Sequence, residues 1–90
     1  MENTIQQIES MLAINKNQKE QLLKLVEMHP KWDPILRHNI IHHCMIIESM
    51  PEKLENESDF DYRTRLLQCK RRLDEQNRLA ECLLIVFRGN

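Results

Sequence analysis

A single glycine and three prolines in ninety residues leave little chain for tight turns. Sandwiches and barrels turn about every 8–12 residues, so they are excluded on this count alone. Only four aromatic side chains occur, Trp32, Tyr62, Phe60 and Phe87, too few to interleave with basic residues as base-stacking platforms. The net charge of −1 gives no general attraction to nucleic acid or to anionic membranes. No apolar run reaches the ~18 residues that a spanning helix needs. No glycine-rich loop is present to cradle a phosphate.

The cysteines, Cys44, Cys69 and Cys82, are odd in number and lack framework spacing. A reducing compartment fits them better than a disulfide scaffold. The first residues are polar and carry no basic and apolar signal pattern. A cytoplasmic protein without membrane contact is expected.

What remains is rich in Leu, Ile, Met, Glu, Gln, Lys and Arg, and all but Ile are strong helix formers. The expected fold is all-α: one small domain over 1–90, a four-helix bundle-like arrangement with three shorter helices packed on one long C-terminal helix. Chain length alone makes such a domain marginal, because it buries only about 60–65% of its unfolded surface.

The long helix is the clearest element, near 58–88. Tyr62, Leu66, Cys69, Leu73, Gln76, Ala80, Leu83 and Phe87 recur with alternating steps of three and four. That spacing lines one seam of a helix. Ser58 with Asp61 makes a capping box at its start, and Gly89 follows its last turn. Toward the end the apolar residues widen from a seam to nearly the whole circumference, from Leu79 to Phe87.

The upstream pieces are set by caps and stops. A helix near 3–14 turns Ile5, Ile8, Met11 and Leu12 to one face. Asn17 with Glu20 reads as a new capping box, which starts a second helix near 17–29 with Leu22, Leu25, Val26 and His29 inward. Pro30 stops it. Asp33-Pro34 is an N-cap followed by proline at the first helical position, and it opens a third helix near 33–50. Leu36, Ile40, Cys44 and Ile47 form the inner stripe of that helix and are expected to pack on Leu66–Leu73. Pro51 ends it, and an acidic link, 52–57, leads to Ser58.

Chemistry-bearing constellations are few. His38 and His42 stand four apart, a spacing that suits two imidazoles on one zinc, but His43 and Cys44 point elsewhere and a structural zinc needs four ligands. They are read as surface residues, with His43 partly packed, and no metal or cofactor is expected. No nucleophile stands with a base and an oxyanion donor, so the chain is not read as an enzyme, and no small-molecule substrate is implied.

The reading that follows is a protein–protein interaction module: an adaptor, chaperone or inhibitor that binds a partner or a second copy of itself through the long helix. In layout the chain is similar to secretion-system chaperones, antitoxin-like regulators and phage-encoded inhibitors. The candidate contact residues are Trp32, Gln76, Leu79, Leu83, Val86 and Phe87, with Trp32 read first as a lid packed on the core and otherwise as a partner anchor, and Gln76 as the polar residue that would set register in a helical pair. An intramolecular alternative folds the Ile5–Leu12 helix across the C-terminal turns. The second function class is a nucleic-acid-binding regulator using Arg63, Lys70, Arg71, Arg72 and Arg78, although Asp74, Glu75 and Glu81 interrupt that face.

Overall fold

The structure, a computed structural model, describes residues 2–45 and 49–88. Three helices account for them: α1 (Glu2–Met28), α2 (Pro34–Met45) and α3 (Asp59–Arg88), with no strand among the described residues. The molecule is a rod of 50 × 21 × 15 Å. Three helices, not four, make the bundle.

The difference lies at Asn15-Lys16-Asn17, where one helix runs through the position expected to separate two. Asparagine favours caps because its side chain competes locally for backbone hydrogen bonds. Asn15 does not compete here. It is only 4% exposed, and its amide reaches across to α3, donating to Asn77 Oδ1 at 2.9 Å and to Gln76 Oε1 at 3.3 Å. The helix-propensity deficit of asparagine, roughly 0.7 kcal/mol or less, is smaller than the cost of leaving such an amide buried and unpaired. With the helix unbroken, Asn17 caps nothing.

Side-chain contacts between α1 and α3 fix their relative direction. Lys70 Nζ donates to Gln7 Oε1 at 2.6 Å, Asn77 Nδ2 to the Met11 carbonyl at 3.1 Å, and Gln18 Nε2 to the Asn77 carbonyl at 3.2 Å. The sequence separations stay between 59 and 66 along the pair, which only parallel helices give. A parallel pair needs a return path as long as α1, roughly 40 Å. The 12 residues of α2 supply roughly 18 Å of it. The non-helical segment 49–58 supplies the rest, since ten residues of extended chain reach at most about 33 Å.

That segment acts as a strap over the start of α3. Tyr62 donates its hydroxyl to the Pro51 carbonyl at 3.0 Å. Arg65 grips Glu57 with two bonds, Nε to Oε2 at 2.6 Å and Nη2 to Oε1 at 2.7 Å, and Nη2 also reaches the Glu52 carbonyl at 2.6 Å. Lys53 pairs with Asp59. The Ser58 cap forms as the sequence implies, with Oγ accepting from the Asp61 amide at 3.1 Å. Asp33 caps α2 in the same way, its Oδ1 accepting from the Ile35 amide at 2.8 Å and the Leu36 amide at 3.3 Å.

The core divides in two. One cluster joins Ile8 to Tyr62, Leu66, Cys69 and Leu73, with Ile5, Met11, Leu12 and Met50 packed on it. The other joins Leu22 and Val26 to Ile40, Ala80 and Leu84, with Leu25, Trp32, Leu36, Ile41, Leu83 and Phe87 around it. Between them lies the polar layer of Asn15, Gln76 and Asn77.

Two expectations are corrected by this division. Ile40 packs with Leu22, Val26, Ala80 and Leu84, and it is Ile8 of α1 that fills the Leu66–Leu73 seam. The Ile5–Leu12 stretch accordingly covers the beginning of α3 and not its C-terminal turns, because the two helices run in the same direction. The third expected helix also stops short of 50: Ser49 and Met50 are not helical. Ile47 and Gly89, expected as a core residue and a C-terminal stop, lie outside the described residues, as does the side chain of Cys44.

Candidate functional site

Large apolar side chains stand exposed at both ends of the rod: Phe60, Leu54 and Leu67 below, and a larger number above, where α1 finishes and α3 runs through its last turns. Met28 is 70% exposed, Ile35 72%, Ile85 65%, Val86 57% and Leu79 52%. These side chains come from all three helices. Packing explains why they stay outside. On α3, the positions facing α1 are Leu73, Asn77, Ala80 and Leu84, and a step of one or two residues from those positions points away from the core. Ile85 and Val86 occupy such positions.

The six residues proposed from sequence as partner contacts therefore separate. Leu79 and Val86 are exposed. Leu83 and Phe87 are half-buried against the upper cluster. Trp32 is half-buried as well: His29 stacks on it at 4.3 Å with planes 7° apart, and Phe87 tilts against it at 4.9 Å. It covers the top of the α1–α2 turn, which the Trp32 amide closes by donating to the His29 carbonyl at 3.2 Å. Gln76 is engaged within the chain by Asn15. Sequence reasoning missed Met28, Ile35 and Ile85 as surface contacts, although Ile35 is marked by the cap itself. An apolar residue two places after an N-cap, one place after Pro34, sits opposite Ile40 on the helical wheel.

The basic residues do not form a continuous patch. Arg63, Arg71, Arg72 and Arg78 are exposed, but Lys70 is half-buried and bonded to Gln7 on the α1 side. Arg78 pairs with Asp74 at 3.1 Å, an i,i+4 bridge on the helix surface. Arg71 shares a shallow groove with Met11, Leu67, Lys70 and Asp74, so apolar and acidic groups intervene there too.

A second feature lies between α2 and α3. Among the described residues no Cα of α2 comes within 8 Å of α3, so these two helices meet only through side chains. The cleft left between them is lined by His43, Arg72, Glu75, Gln76 and Leu79. His43 is 8% exposed, and its Nε2 is buried without a hydrogen-bond partner. Burial, and after it the nearby Lys19 ammonium, push the imidazole below its ordinary value. His38 and His42 stand on the outer face of α2, ring centroids 6.3 Å apart, both exposed. Among the described residues no three His, Cys, Asp or Glu side chains gather as a metal site would require. Cys69 is buried in the lower cluster and Cys82 is exposed on α3.

At the strap, the hydrogen bonds from Arg65, with help from the Leu54 amide, hold the Glu57 carboxyl below the usual carboxylate range. The Arg65 guanidinium also lies 5.8 Å from the centre of the Tyr62 ring. These groups serve the fold. No described helix is long and apolar enough to cross a membrane. No protein-family model, curated protein or solved structure matches the chain.

Proposed function

We propose that this protein is a helical protein–protein interaction module, an adaptor, chaperone or inhibitor, that binds a partner through the upper end of the rod. The observation that supports this is the exposure of Met28, Ile35, Leu79, Ile85 and Val86 on a domain that already has a closed interior. Scattered surface apolar residues are ordinary, but five large ones in the upper half, drawn from three helices, leave apolar surface that a partner could cover. The elongated shape adds surface to volume, which a partner would reduce.

The partner surface is narrower than the sequence implied. Gln76, Leu83 and Phe87 contribute by holding α3 in place, and Leu79, Val86 and Ile85 by facing outward. Self-association draws no support from Gln76, whose amide is matched within one chain. A 27-residue α1 is also long enough to cover the flank of α3 that two short helices would have left open. A heterologous partner is thus favoured over a homodimer.

The test is affinity capture from the native cell, run beside heparin and mixed-sequence DNA at physiological salt. Capture of a protein that is lost with Leu79→Glu supports the reading. Retention on DNA, with affinity falling steeply as salt rises, would replace it with a nucleic-acid role for Arg63, Lys70, Arg71, Arg72 and Arg78.

A further inference from the structure

We propose that His43 is an acid-operated latch: when its ring takes up a proton, α2 lifts off α1 and α3 and uncovers the stripe of Leu22, Val26, Ala80 and Leu84. The geometry carries this. His43 is the buried polar residue of α2, its Nε2 unpartnered, in a cleft shared with Gln76 of the polar layer where the two apolar clusters separate. A proton at that nitrogen would place a charge where no hydrogen bond waits for it, and burying an unpaired charge is costly. The surroundings do not compensate. Lys19 of α1 acts on the ring as a like charge, and Arg72 of α3 lines the same cleft. Among the described residues Glu75 is the one carboxylate lining the cleft; it is exposed, so water screens its charge. On α2 itself, Arg37 has a buried Nε without a partner, and His42 is exposed.

What gives way is α2. It is the shortest helix, and it keeps more than 8 Å between its described Cα atoms and those of α3. The strap binds the beginning of α3 through Tyr62 and Arg65, so the lower cluster keeps its cover when α2 leaves. The folded state resists protonation more than the unfolded chain does. Stability is therefore complete above the ordinary histidine range, about 6.5, and is lost as pH falls from there toward the depressed folded value. One proton of difference corresponds to at most about a tenfold change in the opening equilibrium per pH unit.

This latch stands apart from the partner reading, since it concerns the free chain. Its test is site-resolved amide exchange between pH 8 and pH 5, corrected for intrinsic rates, on wild type, on His43→Gln, and on a His38→Gln/His42→Gln double variant. Wild type and the double variant should lose α2 protection by up to about tenfold per unit below pH 6.5, while amides flanking Leu66 and Leu73 hold. His43→Gln should show no such loss. The proposal is overturned if His43→Gln keeps the pH dependence, or if wild type opens along α1, α2 and α3 together. Should His43→Gln fail to fold, the ring titration of wild-type His43 by NMR decides: a midpoint at or above the ordinary value contradicts the latch.

Discussion

The lower and upper halves of this rod are built from the same two long helices, yet they are closed by different means. Below the Asn15 layer, α1 and α3 are covered by a strap whose contacts are directional: a tyrosine hydroxyl on a carbonyl, a two-pronged Arg65–Glu57 bridge, and the Lys53–Asp59 pair. Above it, the cover is α2, held by apolar packing around Ile40 and by the Trp32–Phe87 contact, with two buried nitrogens, Arg37 Nε and His43 Nε2, left unpaired. Among the described residues of the lower half no buried side-chain nitrogen or oxygen lacks a hydrogen-bond partner. The upper half holds the orphaned nitrogens and exposed apolar residues from all three helices, whereas Leu54, Phe60 and Leu67, exposed below, come from the strap and α3. Buried polar atoms are normally satisfied, and exceptions concentrate where a structure has something to do besides fold. The proposed interaction and the proposed latch both belong above the layer, in the half where polar groups are left unmatched.

The largest expected effects come from the two clusters themselves. Leu66→Ala and Leu22→Ala each remove a fully buried side chain, and each should destabilise by about 2–5 kcal/mol in urea denaturation. Because the clusters are separated by the polar layer, the double variant should lose the sum within about 0.5 kcal/mol. A shortfall well beyond that margin would show that the halves are one core.

Next in size is the layer that divides them. Asn15→Ala removes the donor that reaches Asn77 Oδ1 and Gln76 Oε1 and should cost about 1–3 kcal/mol. Asn15→Leu combined with Asn77→Leu removes both sides at once. It should recover much of that loss while weakening the register between α1 and α3, visible as a broader thermal transition. If the pair is as destabilising as the single change, the layer contributes more than pairwise hydrogen bonds.

A smaller effect separates the halves by pH. The Glu57 carboxyl is held below its ordinary value by Arg65, so the unfolded chain takes up that proton first as acid is added. The contribution is complete above the ordinary carboxylate range, about 4.3, and is lost as pH falls through it toward the folded value. Glu57→Gln should therefore flatten the acid limb of a melting-temperature profile below about pH 4.5 and leave the region near neutrality unchanged. His43, in the upper half, acts in the same direction in a higher window.

These halves could be read from the sequence only in part. The 59–88 helix was legible because its three-four spacing, its Ser58 box and its freedom from proline all agree, and such agreement is the strongest local signal a chain can offer. The Asp33-Pro34 start was legible for the same reason. The break at Asn15–Asn17 was misread because asparagine serves two uses, capping locally or bonding across a seam, and local sequence does not say which. The partner that decides the matter, Asn77, lies 62 residues away. Direction was illegible too. A heptad stripe is the same for parallel and antiparallel neighbours, so the pairing of Ile8 with Leu66 and Leu73 had to come from the length of the return path. Of the candidate contact residues, exposure at Leu79 and Val86 agrees with the widening stripe. Leu83 and Phe87 turn inward because α2 returns to meet them.

The central claim is that the upper end of an already closed domain is where a partner binds. Sedimentation equilibrium of the purified wild type with its captured partner, compared with Leu79→Glu/Val86→Glu, addresses it most directly. Both positions are more than half exposed, so the double variant should keep the wild-type circular dichroism and stability within about 0.5 kcal/mol per site. The account predicts a complex for wild type and a folded, unbound monomer for the double variant. A wild type that stays strictly monomeric and binds no protein, or a double variant that still forms the complex, would contradict it.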